Sequence, residues 1–169
     1  MIIETPQLLL RPHELADVPL MVRLNADPDV VRYTGDVAFT SPAEAETIVA
    51  SLQRQQAAYK MSRLVAFERE TGAFVGWCGL RWHPEEGVAD LGYRLLKECW
   101  GRGYATEAGA ACVRVGFEEL GLPRIIGRVV PENVGSVGVL RKLGFTRVGE
   151  TACGDMPADL YERWPQPGS

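Results

Sequence analysis

The hydrophobic period changes abruptly in the middle of the chain, and this change restricts the fold more than any other feature. Residues 89–96 alternate apolar and polar side chains, which is typical of a strand with one buried face. Residues 104–120 place small and apolar side chains at helical spacing, and residues 124–130 are apolar again. A strand, a helix and a strand in this order would form one right-handed crossover unit if the two strands are parallel.

The rest of the chain supplies short elements on both sides of this unit. The patterns predict strands at 8–11, 63–68, 73–80, 146–151 and 159–163, and helices at 18–25, 42–59 and 134–143. A turn at Glu70-Thr-Gly72 joins the second and third of these strands as a hairpin. This mixture predicts an α+β domain with a mixed sheet of six to seven strands flanked by about four helices.

Length and composition predict one soluble domain in the cytoplasm. The chain has 169 residues, 46% of them hydrophobic and 24% charged, so a core can form without disulfides or metals. We expect a single domain over 1–169, with its core at about 3–164 and a frayed tail at 165–169. The net charge of −4 argues against a nucleic-acid or anionic-membrane partner. Neither a signal-peptide pattern nor a membrane-spanning run is present in the sequence.

The four cysteines do not have the spacing of a metal site. Cys78, Cys99, Cys112 and Cys153 form no C-x-x-C pair, and the sequence has two histidines. We therefore expect free, mostly buried thiols and no metal.

A glycine turn stands between strand 89–96 and helix 104–120. Glycine lets the backbone turn its N–H groups toward a ligand, and the helix that follows adds a partial positive charge. Together these features predict a diphosphate-binding turn. It lies within the stretch Trp100-Gly101-Arg102-Gly103-Tyr104-Ala105-Thr106-Glu107-Ala108, where Arg102 could add a full charge. A plain tight turn into a helix is the alternative.

A second polar segment follows strand 124–130. Asn133 is a candidate N-cap for helix 134–143, and Ser136 falls in the first turn of that helix. Neither a P-loop nor a G-x-S-x-G nucleophile elbow occurs in the sequence.

Taken in order, strand 89–96, W-G-R-G-Y-A-T-E-A, a helix, a strand and N-x-x-S-x-x-V-L-x-K-L-G-F resemble the GNAT acyltransferase superfamily. The opening Glu4-Thr-Pro-Gln-Leu8-x-Leu10-Arg11-Pro12 and Asp27-Pro28 resemble its ribosomal-protein N-terminal acetyltransferase (RimJ/RimL-type) branch. The resemblance covers about residues 3 to 164. It implies an acetyl-CoA-dependent N-acetyltransferase that moves an acetyl group to a primary amine by direct attack in a ternary complex.

The resemblance also implies which residues bind acetyl-CoA, the only cofactor expected. The diphosphate would lie on residues 101–106, and the pantetheine arm would pair with the backbone of Arg94, Leu95 and Leu96. Asn133 would bond to that arm, and Ser136 would lie near the thioester sulfur. Arg141 or Lys142 could meet the adenosine phosphate. The tyrosine that often protonates the leaving thiolate in the wider superfamily is replaced by Leu140 here. Ser136 is the nearest substitute by position, and departure of the thiolate unaided or through water is the alternative.

The acceptor side of the reaction is less determined by the sequence. Asp90 is the candidate base for the amine proton. Glu85, Glu86 and His83 are weaker candidates for that role. The acceptor pocket is expected around residues 25–39, near Trp82 and in the C-terminal strands, with these aromatic candidates: Tyr33, Phe39, Trp77, Trp82 and Tyr93.

The acceptor is a small-molecule amine or a protein N-terminus, and a homodimer is possible. Two alternatives stay open, namely a non-catalytic acyl-CoA binding or sensing module and a mononucleotide-binding domain.

Overall fold

The chain folds around one mixed sheet, in a computed structural model that describes residues 1–36, 38 and 41–168. The strands are β1 (Ile3–Glu4), β2 (Leu8–Arg11), β3 (Arg63–Glu68), β4 (Phe74–His83), β5 (Val88–Leu95), β6 (Ile125–Val129), β7 (Thr146–Cys153) and β8 (Met156–Arg163). The helices are α1 (Val18–Asn25), α2 (Pro28–Val31), α3 (Pro42–Tyr59), α4 (Tyr104–Glu118) and α5 (Val134–Lys142). The strand order across the sheet is β1-β2-β3-β4-β5-β6-β8-β7.

The predicted count of six to seven strands is wrong, because the described residues form eight. The additional strand is β1, whose two residues are too short to show a hydrophobic period. The described residues form five α-helices against the four or so expected. The additional one is α2, a single turn that is too short to show a helical period. Asp27 caps that turn by accepting a hydrogen bond from the Asp29 N–H at 2.9 Å.

The sheet opens between its two parallel strands. β5 and β6 run parallel, which meets the condition for the crossover unit, but they pair only at Ala89↔Ile125 and Asp90↔Ile126. Every other neighbouring pair of strands is antiparallel. The part of β5 beyond Asp90 therefore has an unpaired edge.

Helices cover both faces of the sheet. On one face α4 lies close to the sheet, since a Cβ at Gly116 would be 2.8 Å from Leu80 and 2.9 Å from Ile125. On the other face Val18 and Met21 of α1 pack with Ala45 and Val49 of α3. None of the helices in the described part of the chain is long and apolar enough to cross a membrane.

The cysteines are free thiols, as predicted. Cys78, Cys99 and Cys112 are buried, and Cys153 is half-buried.

Candidate active site

A groove of about 750 Å³ opens where β5 and β6 separate. Its walls come from the open end of β5, the glycine turn, the first turns of α4 and α5, and segment 29–34. Nine of the predicted cofactor residues line it: Arg94, Leu95, Gly101, Gly103, Tyr104, Ala105, Thr106, Asn133 and Ser136. This volume is ordinary for a small-molecule site, so the groove is large enough for one ligand that contacts each of these walls.

The glycine turn has the geometry of an anion site. Gly101 and Gly103 have φ values of +75° and +79°, which favour glycine, and a Cβ at either position would meet nothing within 4 Å. The Glu107 N–H donates to the Gly103 carbonyl at 3.0 Å, so the N–H groups of residues 104–106 precede the first helical bond. These donors, at the positive end of α4, suit a diphosphate.

Two of the predicted cofactor residues do not line the groove. The Leu96 N–H donates to the Val75 carbonyl of β4 at 2.9 Å. Arg102 is drawn toward Glu68, with 3.2 Å between Nη1 and Oε1. The Tyr104 hydroxyl donates to the same Glu68 oxygen at 2.9 Å. The charge of Arg102 is therefore paired outside the groove.

The backbone of β5 alternates between its two neighbours. Because the Leu96 N–H points to β4, the backbone groups of Tyr93 and Leu95 point to the open edge. The Leu95 carbonyl already accepts a hydrogen bond from the Trp100 indole Nε1 at 3.1 Å. The edge expected at residues 94–96 thus lies at Tyr93 and Leu95.

Ser136 is held at the groove by two neighbours. Asn133 caps α5, as predicted, with its Oδ1 accepting from the Ser136 N–H at 3.4 Å. The Tyr93 hydroxyl lies 2.8 Å from Ser136 Oγ and donates to the Ser136 carbonyl at 3.1 Å. Leu140 is buried in the core, where its side chain packs over Gly127.

The contact between Tyr93 and Ser136 was not predicted, since Tyr93 was assigned to the acceptor pocket. The alternating apolar pattern of β5 is the sequence feature that could have indicated this contact. Tyr93 shares its side of the strand with Leu91 and Leu95, and Leu91 faces α4.

Asp90 lies in a buried ion cluster outside the groove. Its Oδ1 is 2.9 Å from Arg63 Nη2 and 3.1 Å from His83 Nε2, and its Oδ2 is 3.8 Å from Arg128 Nη1. Burial alone would raise the pKa of Asp90, but Arg63, His83 and Arg128 lower it to about 2. A carboxylate with this pKa is a weak base, so this environment argues against the predicted role of Asp90.

The Arg63 side chain extends from β3 across β4 to reach Asp90 on β5, and its guanidinium packs against Gly92. A Cβ at Gly92 would lie 2.6 Å from Arg63 Cζ. The guanidinium also donates to the Gly79 and Asp90 carbonyls at 2.7 and 2.9 Å.

The same face of the sheet holds an aromatic and cationic group. Trp77 lies 5.5 Å from Arg63 Cζ and 5.2 Å from Arg94 Cζ, measured to the ring centroid. Arg94 also pairs with Asp36 at 2.7 Å and bonds to Asn25 at the end of α1. Arg94 thus ties the segment after α2 to β5.

The remaining acceptor candidates are scattered. Tyr33 lines the groove. Trp82 is held through its backbone by Gln55 of α3. Glu85 lies 3.6 Å from His83 Nδ1, and Glu86 pairs with Arg128. Phe39 lies outside the described residues.

Comparisons with known proteins identify the family of the chain. The acetyltransferase (GNAT) domain model matches residues 7–146. A Bacillus licheniformis protein named uncharacterized N-acetyltransferase p20 is 32% identical over 146 residues, which are 86% of this chain and 82% of that protein.

Two solved structures share the fold. An acetyltransferase from Agrobacterium tumefaciens str. C58 has a TM-score of 0.85 at 27% identity, over 98% of this chain and 95% of its own. The second is RimL, named as a ribosomal L7/L12 α-N-protein acetyltransferase in complex with coenzyme A. It has a TM-score of 0.82 at 19% identity, over 97% of this chain and 98% of its own. The second likeness shows the fold alone. The chain belongs to the GNAT acetyltransferase family and is an acetyl-CoA-dependent N-acetyltransferase.

Proposed function

We propose that the groove binds acetyl-CoA across its walls and presents the acetyl group to a primary amine. One observation carries this proposal: the open edge of β5, the positive end of α4 and Ser136 meet in a single groove. Each of these features alone is common in proteins. Their convergence fits a long ligand with an anionic part and an amide-bearing arm.

Each wall has a separate task in binding. The N–H groups of residues 104–106 bind the diphosphate, and the left-handed glycines at 101 and 103 leave room for it. The backbone of Tyr93 and Leu95 pairs with the pantetheine arm as an added strand would. Lys142 lines the groove and Arg141 does not, so Lys142 is the one that meets the adenosine phosphate.

Catalysis uses positioning and one proton donor. Bound acetyl-CoA supplies an acyl group activated as a thioester. The groove holds the acetyl group in place while a neutral amine attacks it, and this positioning accounts for most of the rate enhancement. The Ser136 hydroxyl donates a proton to the departing sulfur.

We assign the proton of the attacking amine to a water molecule in the groove, because Asp90 does not line the groove. The carboxylate of Asp90 is engaged with Arg63 and His83, and its pKa of about 2 gives it little basicity. We therefore assign Asp90 a structural role, namely holding the Arg63 guanidinium against β5.

The acceptor belongs to one of two classes, small-molecule amines or protein N-termini. RimL is named for a protein α-amine, and placing this chain in the RimJ/RimL-type branch would favour the second class. The opening Pro12 and Asp27-Pro28 segments are what this chain shares with that branch.

A screen of amines tests the proposal. Thiol release from acetyl-CoA is measured with polyamines, amino acids and peptides, for wild type and Ser136→Ala. We expect Ser136→Ala to lower kcat about tenfold, because a thiolate leaves more easily than an alkoxide, and to leave the Kd for acetyl-CoA unchanged. Full turnover by the variant on every accepted amine would refute the role of Ser136.

A further inference from the structure

Tyr93 and Ser136 form the one side-chain hydrogen-bonded pair that links β5 to α5 in the described residues. Tyr93 is the first residue past the paired part of β5 whose side chain lines the groove. Its ring contributes to the core, while its hydroxyl ends beside Ser136. The hydroxyl therefore sits at the edge of the reaction space.

Counting donors and acceptors shows what this hydroxyl does. The Ser136 carbonyl can only accept, so the 3.1 Å bond uses the proton of Tyr93. The Tyr93 oxygen is then free to accept the Ser136 O–H over 2.8 Å. When Ser136 gives its proton elsewhere, the Tyr93 O–H can donate to Oγ instead. Tyr93 thus holds Ser136 Oγ in both states.

We propose that Tyr93 is a positioning residue that aims the Ser136 hydroxyl at the thioester sulfur. The proposal rests on the proton-donor role given to Ser136 above. As the C–S bond breaks, its electron pair goes to sulfur, and the sulfur takes the proton of Ser136 Oγ. Ser136 recovers a proton from water, which has accepted the one lost by the amine. Tyr93 keeps its own proton throughout.

The surroundings of Tyr93 support this division of tasks. Burial raises the pKa of Tyr93 above its ordinary value, so the phenol stays protonated and remains a hydrogen-bond donor to Ser136. The hydrogen bond to Ser136 opposes that shift without cancelling it.

The test measures the pKa of the thiol of bound coenzyme A, which requires no acceptor. Thiolate absorbance of the complex is followed against pH, and the complex with desulfo-coenzyme A is subtracted to remove the protein thiols. A hydrogen bond to a thiolate lowers its pKa. We expect Ser136→Ala and Tyr93→Phe each to raise the pKa of the bound thiol by about 0.5–1 unit. The double variant should raise that pKa no further than either single variant.

The control is Tyr161→Phe, which removes the hydroxyl of a buried tyrosine on β8 and should leave the thiol pKa unchanged. The charged groups that line the groove are the same in every variant: Asp29, Arg32, Arg94, Lys97, Glu132 and Lys142. Thermal melting and the Kd for desulfo-coenzyme A establish that each variant keeps its fold.

The outcomes separate the two proposals. A shift with Ser136→Ala but none with Tyr93→Phe would overturn the positioning role and keep Ser136. No shift with either variant would refute the role of Ser136 itself. Additive shifts would mean that Tyr93 acts on the thiol directly, which also overturns the inference.

Discussion

The two ends of β5 lie next to each other in sequence and differ in almost every physical respect. At Ala89 and Asp90 the strand is paired on both sides, and its carboxylate is held by a guanidinium and an imidazole. At Tyr93 and Leu95 one edge is unpaired and faces the groove. The charge of Asp90 is paired within the protein at the first end, whereas backbone groups are presented to a ligand at the second.

This contrast explains why the two predicted catalytic residues differ so much. Ser136 lies at the open end of the strand and borders the groove, whereas Asp90 lies at the closed end and does not. A buried, fully paired carboxylate stabilises a structure and is difficult to protonate. We therefore expect changes at the closed end to affect stability and changes at the open end to affect binding.

The largest effect is expected at the closed end. Asp90→Ala leaves the buried Arg63 without its ionic partner and should lower the free energy of unfolding by about 3–5 kcal/mol. Urea denaturation measures this change. Glu118→Ala, which breaks the exposed pair with Arg114, should cost less than about 0.5 kcal/mol. A cost below about 1 kcal/mol for Asp90→Ala would contradict the view that the closed end of β5 contributes mainly to stability.

The next effect concerns the open end. Thr106→Glu places a carboxylate in the first turn of α4, where it should stabilise the helix and repel a diphosphate. We expect the Kd for acetyl-CoA to rise about 100-fold, with no loss of thermal stability. Calorimetric titration measures the first quantity and thermal melting the second. Thr47→Glu, an exposed change on α3, is the charge-matched control and should bind as wild type.

Acid should weaken the closed end through Asp90. Its pKa of about 2 lies below the ordinary value of 3.8, so the charged form is favoured by folding. This stability is fully present above about pH 4 and is lost as the pH falls toward 2. Between pH 6 and pH 2, the advantage of wild type over Asp90→Asn in urea should shrink by about 2 kcal/mol. A constant difference over that range would contradict the assigned pKa.

The smallest effect separates two neighbouring cations on α5. Lys142 lines the groove and Arg141 does not. Lys142→Ala should weaken coenzyme A binding about three- to fivefold and leave binding of 3′-dephospho-coenzyme A unchanged, because exposed ion pairs contribute little. Arg141→Ala should change neither. Equal losses for the two variants would mean that the adenosine phosphate is not bound by Lys142.

The sequence predicts the fold better than it predicts the site. Long elements with a clear period, such as α4 and β5, lie close to where the pattern predicts them. The two-residue β1 and the single-turn α2 have no period, so local pairing and capping determine them. Length is thus what decides whether an element is visible in a sequence.

Site residues follow the same division. The glycine turn and Asn133 were predictable because a backbone conformation and a helix cap leave local signals. The pairing of Arg102 with Glu68 and of Asp90 with Arg63 joins distant parts of the chain. Such contacts depend on the sheet register, which the sequence alone does not specify.

Gly92 has a consequence for any future redesign of this sheet. Because Arg63 occupies the space of its missing side chain, even alanine there would collide with the guanidinium. The arginine would have to withdraw, and Asp90 would lose its counterion. One absent methyl group therefore determines whether β3 can reach across β4 to neutralise a charge on β5.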